Sequence, residues 1–319
     1  MSDLQLPKLT VPTVFFTGVT TGKSFINRLF PVWAGVVSLQ DACLMGIDIP
    51  LNDAPESYHK VVRFMKEEEL AKGSVVTSHK MNIFKHAKDV FDVFGTYADA
   101  LGEVSCISKR NGKLHGDALD PVTSGLSLDN IVGPTHWSEH IDAQMIILGS
   151  GGSALATTMN LLRRPENERP AKIIITGRTE WKVDHVRDLL APMDNGEIVE
   201  CVWTPKPEEQ DGLVIQAPPH SVVANSTGMG KDRPGSPLSD AVVFPENGVV
   251  WDYNFRGDLK FLVQGKAQAE KRNLIVEDGW RYFLHGWSQH LAQIFHFSLN
   301  NDLFAELKRT AEELRQDGS

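Results

Sequence analysis

A glycine-rich turn near the middle of this 319-residue chain is the group of residues best suited to bind a ligand. It comprises Gly149, Ser150, Gly151, Gly152 and Ser153. With Ala154 it matches G-x-G-x-x-G/A, in which the first glycine allows a tight turn and the second admits a pyrophosphate. A helix that starts here offers free N–H groups and a positive dipole end to phosphate. The turn therefore predicts a dinucleotide site, the alternative being a strand–helix turn without a ligand.

The residues after the next buried strand indicate which dinucleotide binds. The strand KIIIT, residues 172–176, is followed by Gly177, Arg178 and Thr179. An NAD-binding domain usually has Asp or Glu at this point to bind the ribose 2′-hydroxyl, and this strand end has neither. Arg178 can bind a 2′-phosphate through two parallel hydrogen bonds, and Thr179 can donate another. The pattern favours NADP over NAD, unless Arg178 is only a solvated surface arginine.

Hydrophobic periodicity predicts the elements that must position these groups. In the first half, strands are predicted at 14–19, 43–49 and 74–77, and helices at 25–37, 54–71 and after 80. Asn111-Gly112 suits the type I′ turn of a hairpin over 106–116. In the second half, strands are predicted at 143–148, 172–176, 222–225 and 249–253. Residues 149–162 are predicted as a glycine turn that enters a helix, and further helices are predicted at 280–297 and 302–315. The Pro- and Glu-rich stretch 205–211 reads as a surface loop.

This alternation of strands and helices predicts an α/β protein with two domains. Residues 1–132 form a mostly parallel α/β domain that binds substrate and carries catalysis. Residues 133–278 form a Rossmann domain that binds NADP, with Gly133-Pro134 as the boundary. The C-terminal helical stretch, 279–319, is expected to pack back on the first domain.

Composition excludes several classes of partner. Lys plus Arg number 32 and Asp plus Glu 41, so a net charge of −9 argues against binding to nucleic acid or anionic lipid. We expect no membrane span, because no apolar stretch approaches the ~20 residues that a bilayer requires. Cys43, Cys106 and Cys201 form no CxxC pair, which predicts free thiols, a cytoplasmic location and no metal site.

Laid end to end, residues 14–300 resemble the shikimate/quinate dehydrogenase family. The motifs that carry the resemblance occur in the family's order. They are Gly18-Val19-Thr20, Thr77-Ser78-His79-Lys80, Gly102-Glu103-Val104-Ser105-Cys106 (the family's Gly-Ala-Val-Asn-Thr), Gly112 to Asp120 (its Gly-x-Leu-x-Gly-x-Asn-Thr-Asp), Gly149 to Gly152, Arg178-Thr179, Asn225 to Met229, and Gly279.

By this resemblance Lys80 and Asp120 are the catalytic pair. Lys80 takes up or returns the proton of an alcohol, and Asp120 orients it and binds the reacting hydroxyl. The alternatives are an exposed lysine at a helix start and an N-cap aspartate before Pro121. The resemblance also implies that a further group of residues binds the cofactor. It consists of Asn225, Thr227, Met229 and Gly279.

The substrate-binding positions depart from the family pattern. Where the family has two serines before a proline, this chain has Arg28 and Phe30. Arg28 could bind a carboxylate or phosphate, or be a surface arginine packed on Phe25 or Val32. Family asparagines that face the substrate are replaced by Ser74, Ser105 and Ala118, and a family glutamine by Gly286. We expect Arg28, Ser74, Thr77 and Ser105 to contact the substrate.

These features predict an NADP-dependent oxidoreductase that interconverts a secondary alcohol and a ketone. The substrate would be shikimate, quinate or a related polyhydroxylated acid or cyclitol, and the protein a monomer or homodimer. One alternative is a non-catalytic sensor that retained the NADP site, which the replaced asparagines favour. Another is a different enzyme class on the same architecture, because fold alone does not determine function.

Overall fold

The computed structural model describes residues 4–194 and 198–316. The protein is α/β and divides into two compact units. One unit contains the described residues of Met1–Leu119 and Gly286–Ser319, and the other contains those of Asp120–His285.

The first unit is built on a mixed six-stranded sheet. Its strands are β1 (Thr13–Gly18), β2 (Cys43–Asp48), β3 (Ala71–Val76), β4 (Val93–Phe94), β5 (Cys106–Arg110) and β6 (Lys113–Asp117). They lie in the order β2-β1-β3-β5-β6-β4. β1 pairs in parallel with β2 and β3, and β4 pairs in parallel with β6. β5 is antiparallel to both β3 and β6, so it is the strand that makes this sheet mixed.

Helices of the first unit cover this sheet and enclose its core. They are α1 (Ile26–Val36), α2 (Pro55–Glu67), α3 (Lys80–Ala87), α4 (Thr96–Leu101), α13 (Asn301–Gln316) and, from Gly286 onward, α12 (Trp280–Phe295). The apolar face of α2 is fully buried at Val61, Val62 and Met65. These side chains share a core cluster with Phe15 of β1 and Ile107 of β5. The core therefore holds in place the strand ends from which the candidate site residues extend.

The second unit has a parallel sheet with Rossmann strand order. Its strands are β7 (Gln144–Leu148), β8 (Lys172–Gly177), β9 (Val199–Trp203), β10 (Val222–Asn225), β11 (Val249–Asp252) and β12 (Ile275–Glu277). Their order is β12-β11-β10-β7-β8-β9, and every pairing is parallel. The direction of strand succession reverses between β7 and β10, which is where such sheets bind ligands at their carboxyl ends.

Helices of the second unit connect its strands along the chain or precede them. They are α5 (Asp120–Val132), α6 (His136–Glu139), α7 (Gly152–Leu162), α8 (Glu180–Asp194), α9 (Pro207–Ile215), α10 (Lys260–Lys266) and α11 (Ala269–Arg272). α5 lies close against α7, because Gly125 leaves the space that Asn160 occupies. Arg164 Nη1 and Asp129 Oδ1 form an ion pair at 2.7 Å beside this contact. None of the helices that the structure describes is long and apolar enough to cross a membrane.

Most predicted elements are confirmed, with a few differences. The type I′ turn is present, with φ of 52° at Asn111 and 73° at Gly112. The helix predicted over 54–71 is too long, because it ends at Glu67 and Ala71 already begins β3. The surface loop predicted at 205–211 is wrong. Residues Pro207–Ile215 form α9, whose first turn carries Pro207, Glu208 and Glu209, and these residue types favour a helix start.

Candidate functional site

The predicted phosphate-binding turn lies at the reversal point of the second sheet. Gly149 follows β7 directly and has φ of +119°, a conformation that L side chains rarely adopt. A Cβ atom on Gly149 would lie 2.8 Å from Ser226 Oγ and 2.9 Å from Thr227 Cγ2. Ser226 Oγ donates to the Leu148 and Gly149 carbonyl oxygens at 3.1 and 3.2 Å. Glycine is therefore required here by backbone conformation and by the close approach of the loop after β10.

Gly151 and Gly152 lead into the start of α7. Gly151 is exposed and extended, and a Cβ atom on it would meet nothing within 4 Å. Open space therefore faces this backbone, directly before the first turn of a helix whose N–H groups point outward. Ser153 lies in that first turn, and Ala154 is fully buried. These residues fit a pyrophosphate, because the backbone is accessible where the ligand would lie and packed where the helix meets the sheet.

Arg178 and Thr179 lie beside the same turn. Gly177 brings them there, because a Cβ atom on Gly177 would lie 2.6 Å from Ser150 Oγ and 2.7 Å from Val183 Cγ2. Both residues are exposed, and the Arg178 guanidinium forms no hydrogen bond or ion pair with any residue the structure describes. A free, exposed guanidinium next to the phosphate-binding turn is suited to bind a second phosphate.

Asn225, Thr227 and Met229 form a hydrogen-bonded loop after β10. Asn225 Oδ1 accepts the Thr227 N–H at 3.0 Å and its hydroxyl at 2.6 Å. Asn225 Nδ2 donates to the Met229 carbonyl at 3.2 Å and to Asp252 Oδ2 at 3.0 Å. The Asn225 side chain is fully buried, so it shapes the loop from within. Thr227 and Met229 are half-buried at the edge of this loop.

Asp252 connects the ends of β10 and β11. Besides Asn225, its carboxyl group accepts the backbone N–H and the side-chain Nδ2 of Asn254, both at 2.8 Å. Burial raises the pKa of Asp252 to about 6, and these hydrogen bonds oppose the shift. Asn254 Nδ2 also donates to the Thr227 carbonyl at 3.0 Å, so the network reaches the candidate cofactor loop.

Gly279 is held against the end of β11. Its N–H donates to the Asn254 carbonyl at 3.0 Å. A Cβ atom on Gly279 would lie 2.0 Å from the Tyr253 carbonyl oxygen, so no larger residue fits. The glycine thus allows the start of α12 to approach the strand ends that carry the cofactor candidates.

In the first unit, Lys80 is the first residue of α3, after the end of β3. It is half-buried, and its carbonyl oxygen accepts the Val104 N–H at 3.1 Å. A cation at a helix N-terminus is opposed by the helix dipole, so this placement is not explained by helix stability. Thr77 lies at the same strand end, where its hydroxyl donates to the Thr17 carbonyl at 3.4 Å. Ser74 is fully buried in β3 and bonds Thr17 Oγ1 at 2.8 Å.

Ser105 belongs to a buried hydrogen-bond network near Lys80. Ser105 Oγ accepts the Leu119 N–H at 2.8 Å and lies 3.1 Å from His290 Nε2. The other ring nitrogen of His290 lies 2.6 Å from the Gly286 carbonyl, which requires Nδ1 to carry the proton. Nε2 therefore accepts from the Ser105 hydroxyl. The network occupies this hydroxyl within the protein.

Asp120 and Arg28 have contrasting surroundings. Asp120 begins α5 in the second unit and is only 7% exposed, at the helix end where a negative charge is favourable. Arg28 lies on α1 in the first unit and is exposed, with its guanidinium carbon 5.7 Å from the Phe25 ring centre. In the residues the structure describes, Arg28 forms no ion pair.

No cluster of His, Cys, Asp or Glu within 4–194 and 198–316 is arranged to hold a metal ion.

Four residues near these groups were missed by sequence reasoning. Glu103 is 7% exposed and precedes Val104, whose N–H bonds Lys80. His290, Asp252 and Trp203 likewise contact candidate residues. The sequence offers a signal for Glu103, because the family that this chain resembles has alanine at the matching position. The other three depend on contacts between distant segments, for which spacing offers no signal.

The chain is similar to known enzymes in sequence and in fold. Over 218 residues, 68% of this chain and 70% of the relative, it is 27% identical to the shikimate dehydrogenase (NADP(+)) of Salinibacter ruber. Shikimate dehydrogenase from Aquifex aeolicus matches with a TM-score of 0.71 at 19% identity, covering 95% of this chain and 100% of that one. Quinate dehydrogenase from Corynebacterium glutamicum, in complex with NAD, also has a TM-score of 0.71, at 14% identity and with coverage of 94% and 98%.

No protein-family model matches the chain. The structural matches are below 25% identity and establish the fold, while the sequence match spans about two thirds of the chain. The chain is therefore shikimate dehydrogenase-like, with the two-unit α/β fold of these enzymes.

Proposed function

We propose that the protein is an NADP-dependent dehydrogenase that interconverts a secondary alcohol and a ketone on a small polyhydroxylated acid or cyclitol. When bound, NADP supplies the hydride acceptor for the alcohol, and NADPH the donor for the ketone. The glycine turn and the start of α7 bind its pyrophosphate, and Arg178 with Thr179 bind its 2′-phosphate. Thr227, Met229 and Gly279 line the nicotinamide end of the site.

Two ionisable residues of this chain handle the substrate proton. We assign to Lys80 the uptake of the hydroxyl proton during oxidation and its return during reduction. We assign to Asp120 the binding of the reacting hydroxyl. Thr77 and Arg28 are the polar and cationic groups offered to the rest of the substrate, Arg28 to a carboxylate or phosphate.

The observation that carries this proposal is the second unit's combination of Rossmann strand order, an accessible glycine turn and a free Arg178 beside it. A sequence match to an NADP(+) enzyme of this reaction type supports it. Cys43, Cys106 and Cys201 all lie in the described part of the chain and form no disulfide, in keeping with the reducing cytoplasm that we propose as its location.

The test is NADPH formation by the purified protein with shikimate, quinate and a panel of cyclitols and sugar acids. We expect turnover on at least one of them. Lys80→Ala should lower kcat by roughly 10²- to 10⁴-fold, because the proton acceptor is lost. Lys85→Ala, an exposed lysine on the same helix, is the matched control and should retain full activity.

One other function is favoured by the replacement of the family's substrate-facing asparagines. It is that of a sensor, which binds NADP without turnover. Calorimetry separates the two, because a sensor binds NADP and yields no NADPH with any member of the panel. Turnover that survives Lys80→Ala would contradict the assigned role of the lysine. Absence of NADP binding would contradict both functions.

A further inference from the structure

Trp203 is an exposed aromatic residue beside the proposed 2′-phosphate site. It ends β9 and is paired in register with Gly177 of β8. Its indole Nε1–H donates to the Arg178 carbonyl oxygen at 3.2 Å, and the Thr204 N–H donates to the Gly177 carbonyl at 3.0 Å. The side chain is nevertheless 47% exposed. The hydrogen bond therefore fixes a flat apolar ring at the surface, at the carboxyl end of the sheet.

The segments that follow β8 and β9 carry three exposed cations, together with the exposed carboxylates of Glu180, Glu208 and Glu209. Arg178, Lys182 and Lys206 are exposed, and none of them forms an ion pair with the residues that the structure describes. The Lys182 ammonium lies 5.5 Å from the centre of the Trp181 ring. Cations without an ion-pair partner among the described residues, on the segment that holds a fixed aromatic ring, suit a ligand that combines a phosphate with a planar base.

Strand order indicates which part of a dinucleotide would reach this ring. The pyrophosphate is expected at the turn after β7, and the ribose of the adenosine half at the end of β8. The order β10-β7-β8-β9 then places the adenine beyond β8, at the end of β9. Trp203 is the residue at that end.

We propose that Trp203 is the platform on which the adenine of NADP stacks while Arg178 binds the 2′-phosphate of the same nucleoside. This inference rests on the proposed function. Stacking on an aromatic ring is tolerant of ring type but requires a flat face, and an indole already held by a hydrogen bond loses little freedom on binding. Trp203 thereby adds affinity for the adenosine half without contacting the reacting atoms.

Fragment binding tests the proposal by separating the two halves of the cofactor. Trp203→Ala should raise the Kd for NADP and for 2′,5′-ADP roughly tenfold to a hundredfold, as expected for loss of base stacking. Binding of nicotinamide mononucleotide, which has no adenine, should not change. Trp203→Phe keeps an aromatic face and should stay within about threefold of the wild type.

Fluorescence distinguishes Trp203 from its exposed neighbour. NADP should quench tryptophan emission in the wild type and in Trp181→Phe, and the quenching should be largely lost in Trp203→Phe. An unchanged Kd for 2′,5′-ADP in Trp203→Ala, or quenching that depends on Trp181 alone, would overturn the inference and leave the proposed function standing. If the wild type bound neither NADP nor 2′,5′-ADP, the proposed function would fail as well.

Discussion

Arg178 and Asn225 both lie at strand ends of the second sheet, but their side chains are occupied differently. The Asn225 side-chain amide bonds only within the protein, to Thr227 and Met229 of the loop after β10 and to Asp252 of β11. The Arg178 guanidinium bonds none of the described residues, and only its backbone carbonyl accepts a hydrogen bond, from Trp203. Arg178 can therefore bind a ligand directly, whereas Asn225 acts through the shape of its loop. Ser105 resembles Asn225 in this respect, since Leu119 and His290 occupy its hydroxyl.

Replacement of Arg178 by alanine tests its role in cofactor choice. Loss of a charge-assisted, bidentate contact should raise KM for NADP by roughly ten- to a hundredfold, corresponding to about 1.5–3 kcal/mol. KM for NAD should change by less than about threefold, because NAD has no 2′-phosphate. Steady-state kinetics with both cofactors measures this, with Arg187→Ala on α8 as the control. Equal losses for NADP and NAD would show that Arg178 does not read the 2′-phosphate.

At the scale of elements, the two glycines of the β7–α7 turn have different physical reasons to be glycine. Gly149 has a positive φ and close contacts with the loop after β10, so it serves the fold. Gly151 has an ordinary extended conformation and open space in front of it, so the fold would accept a side chain there. In this turn, the fold requires glycine at position 149, whereas at position 151 only a bound ligand would require it.

Alanine at each position should separate these requirements. Gly151→Ala should leave the free energy of unfolding within about 0.5 kcal/mol of the wild type but weaken NADP binding roughly tenfold or more, since the methyl group fills the space for the pyrophosphate. Gly149→Ala should lower the unfolding free energy by about 1–3 kcal/mol, because alanine must adopt a strained φ. Urea unfolding without ligand and calorimetric NADP titration give the two readouts. Unimpaired binding in Gly151→Ala would contradict a pyrophosphate at this turn.

The junction of β10 and β11 should contribute a pH dependence through Asp252. Its pKa is about 6 in the folded protein, above the ordinary 3.8, so the neutral form is favoured by folding. The stabilisation is complete below about pH 4 and is lost as pH rises through 6, amounting to at most ~3 kcal/mol. The unfolding free energy of the wild type minus that of Asp252→Asn should therefore fall from pH 4 to pH 7, because only the wild type carries the titrating carboxyl group. Asp188→Asn, at an exposed position on α8, is the control, and a constant difference between the wild type and Asp252→Asn would contradict the raised pKa.

At the scale of the molecule, the first unit closes its core with segments from distant parts of the chain. In the first unit, α13 packs on α1, and Leu307 and Ala311 are fully buried. The indole Nε1–H of Trp33 donates to the Leu307 carbonyl at 2.9 Å. The last helix of the chain is thus part of the first unit's core, although more than 270 residues separate the two partners.

Truncation of Leu307 tests this role of the C-terminal helix. Leu307→Ala should cost about 2–5 kcal/mol of unfolding free energy, because it leaves a cavity beside α1. Glu306→Ala, an exposed position on the same helix, should cost less than about 0.5 kcal/mol. Urea denaturation followed by circular dichroism measures both. A loss below about 0.5 kcal/mol in Leu307→Ala would show that α13 contributes little to this core.

Local patterns were sufficient for much of the fold. The glycine turn between two apolar runs, the Asn111-Gly112 hairpin and the amphipathic α2 depend on residues near in sequence, and all three are present. The strands β4, β9 and β12 escape prediction, because β4 and β12 have only two and three residues and Glu200 interrupts the apolar residues of β9. Pro207, Glu208 and Glu209 favour the start of α9, but a stretch rich in proline and glutamate also suits a surface loop, so residue types alone do not decide between the two.

The sequence by itself determined the α/β class, the glycine turn after β7, the basic residue after β8 and the resemblance that singles out Lys80 and Asp120. Each of these depends on residue types at short, fixed spacing. Only the tertiary structure decided that Ser74 and Ser105 are buried, that His290 holds Ser105, that Asp252 is desolvated and that Trp203 lies exposed beside Arg178. These properties arise when strands distant in the chain come together, because burial and hydrogen-bond partners are set by neighbours in space.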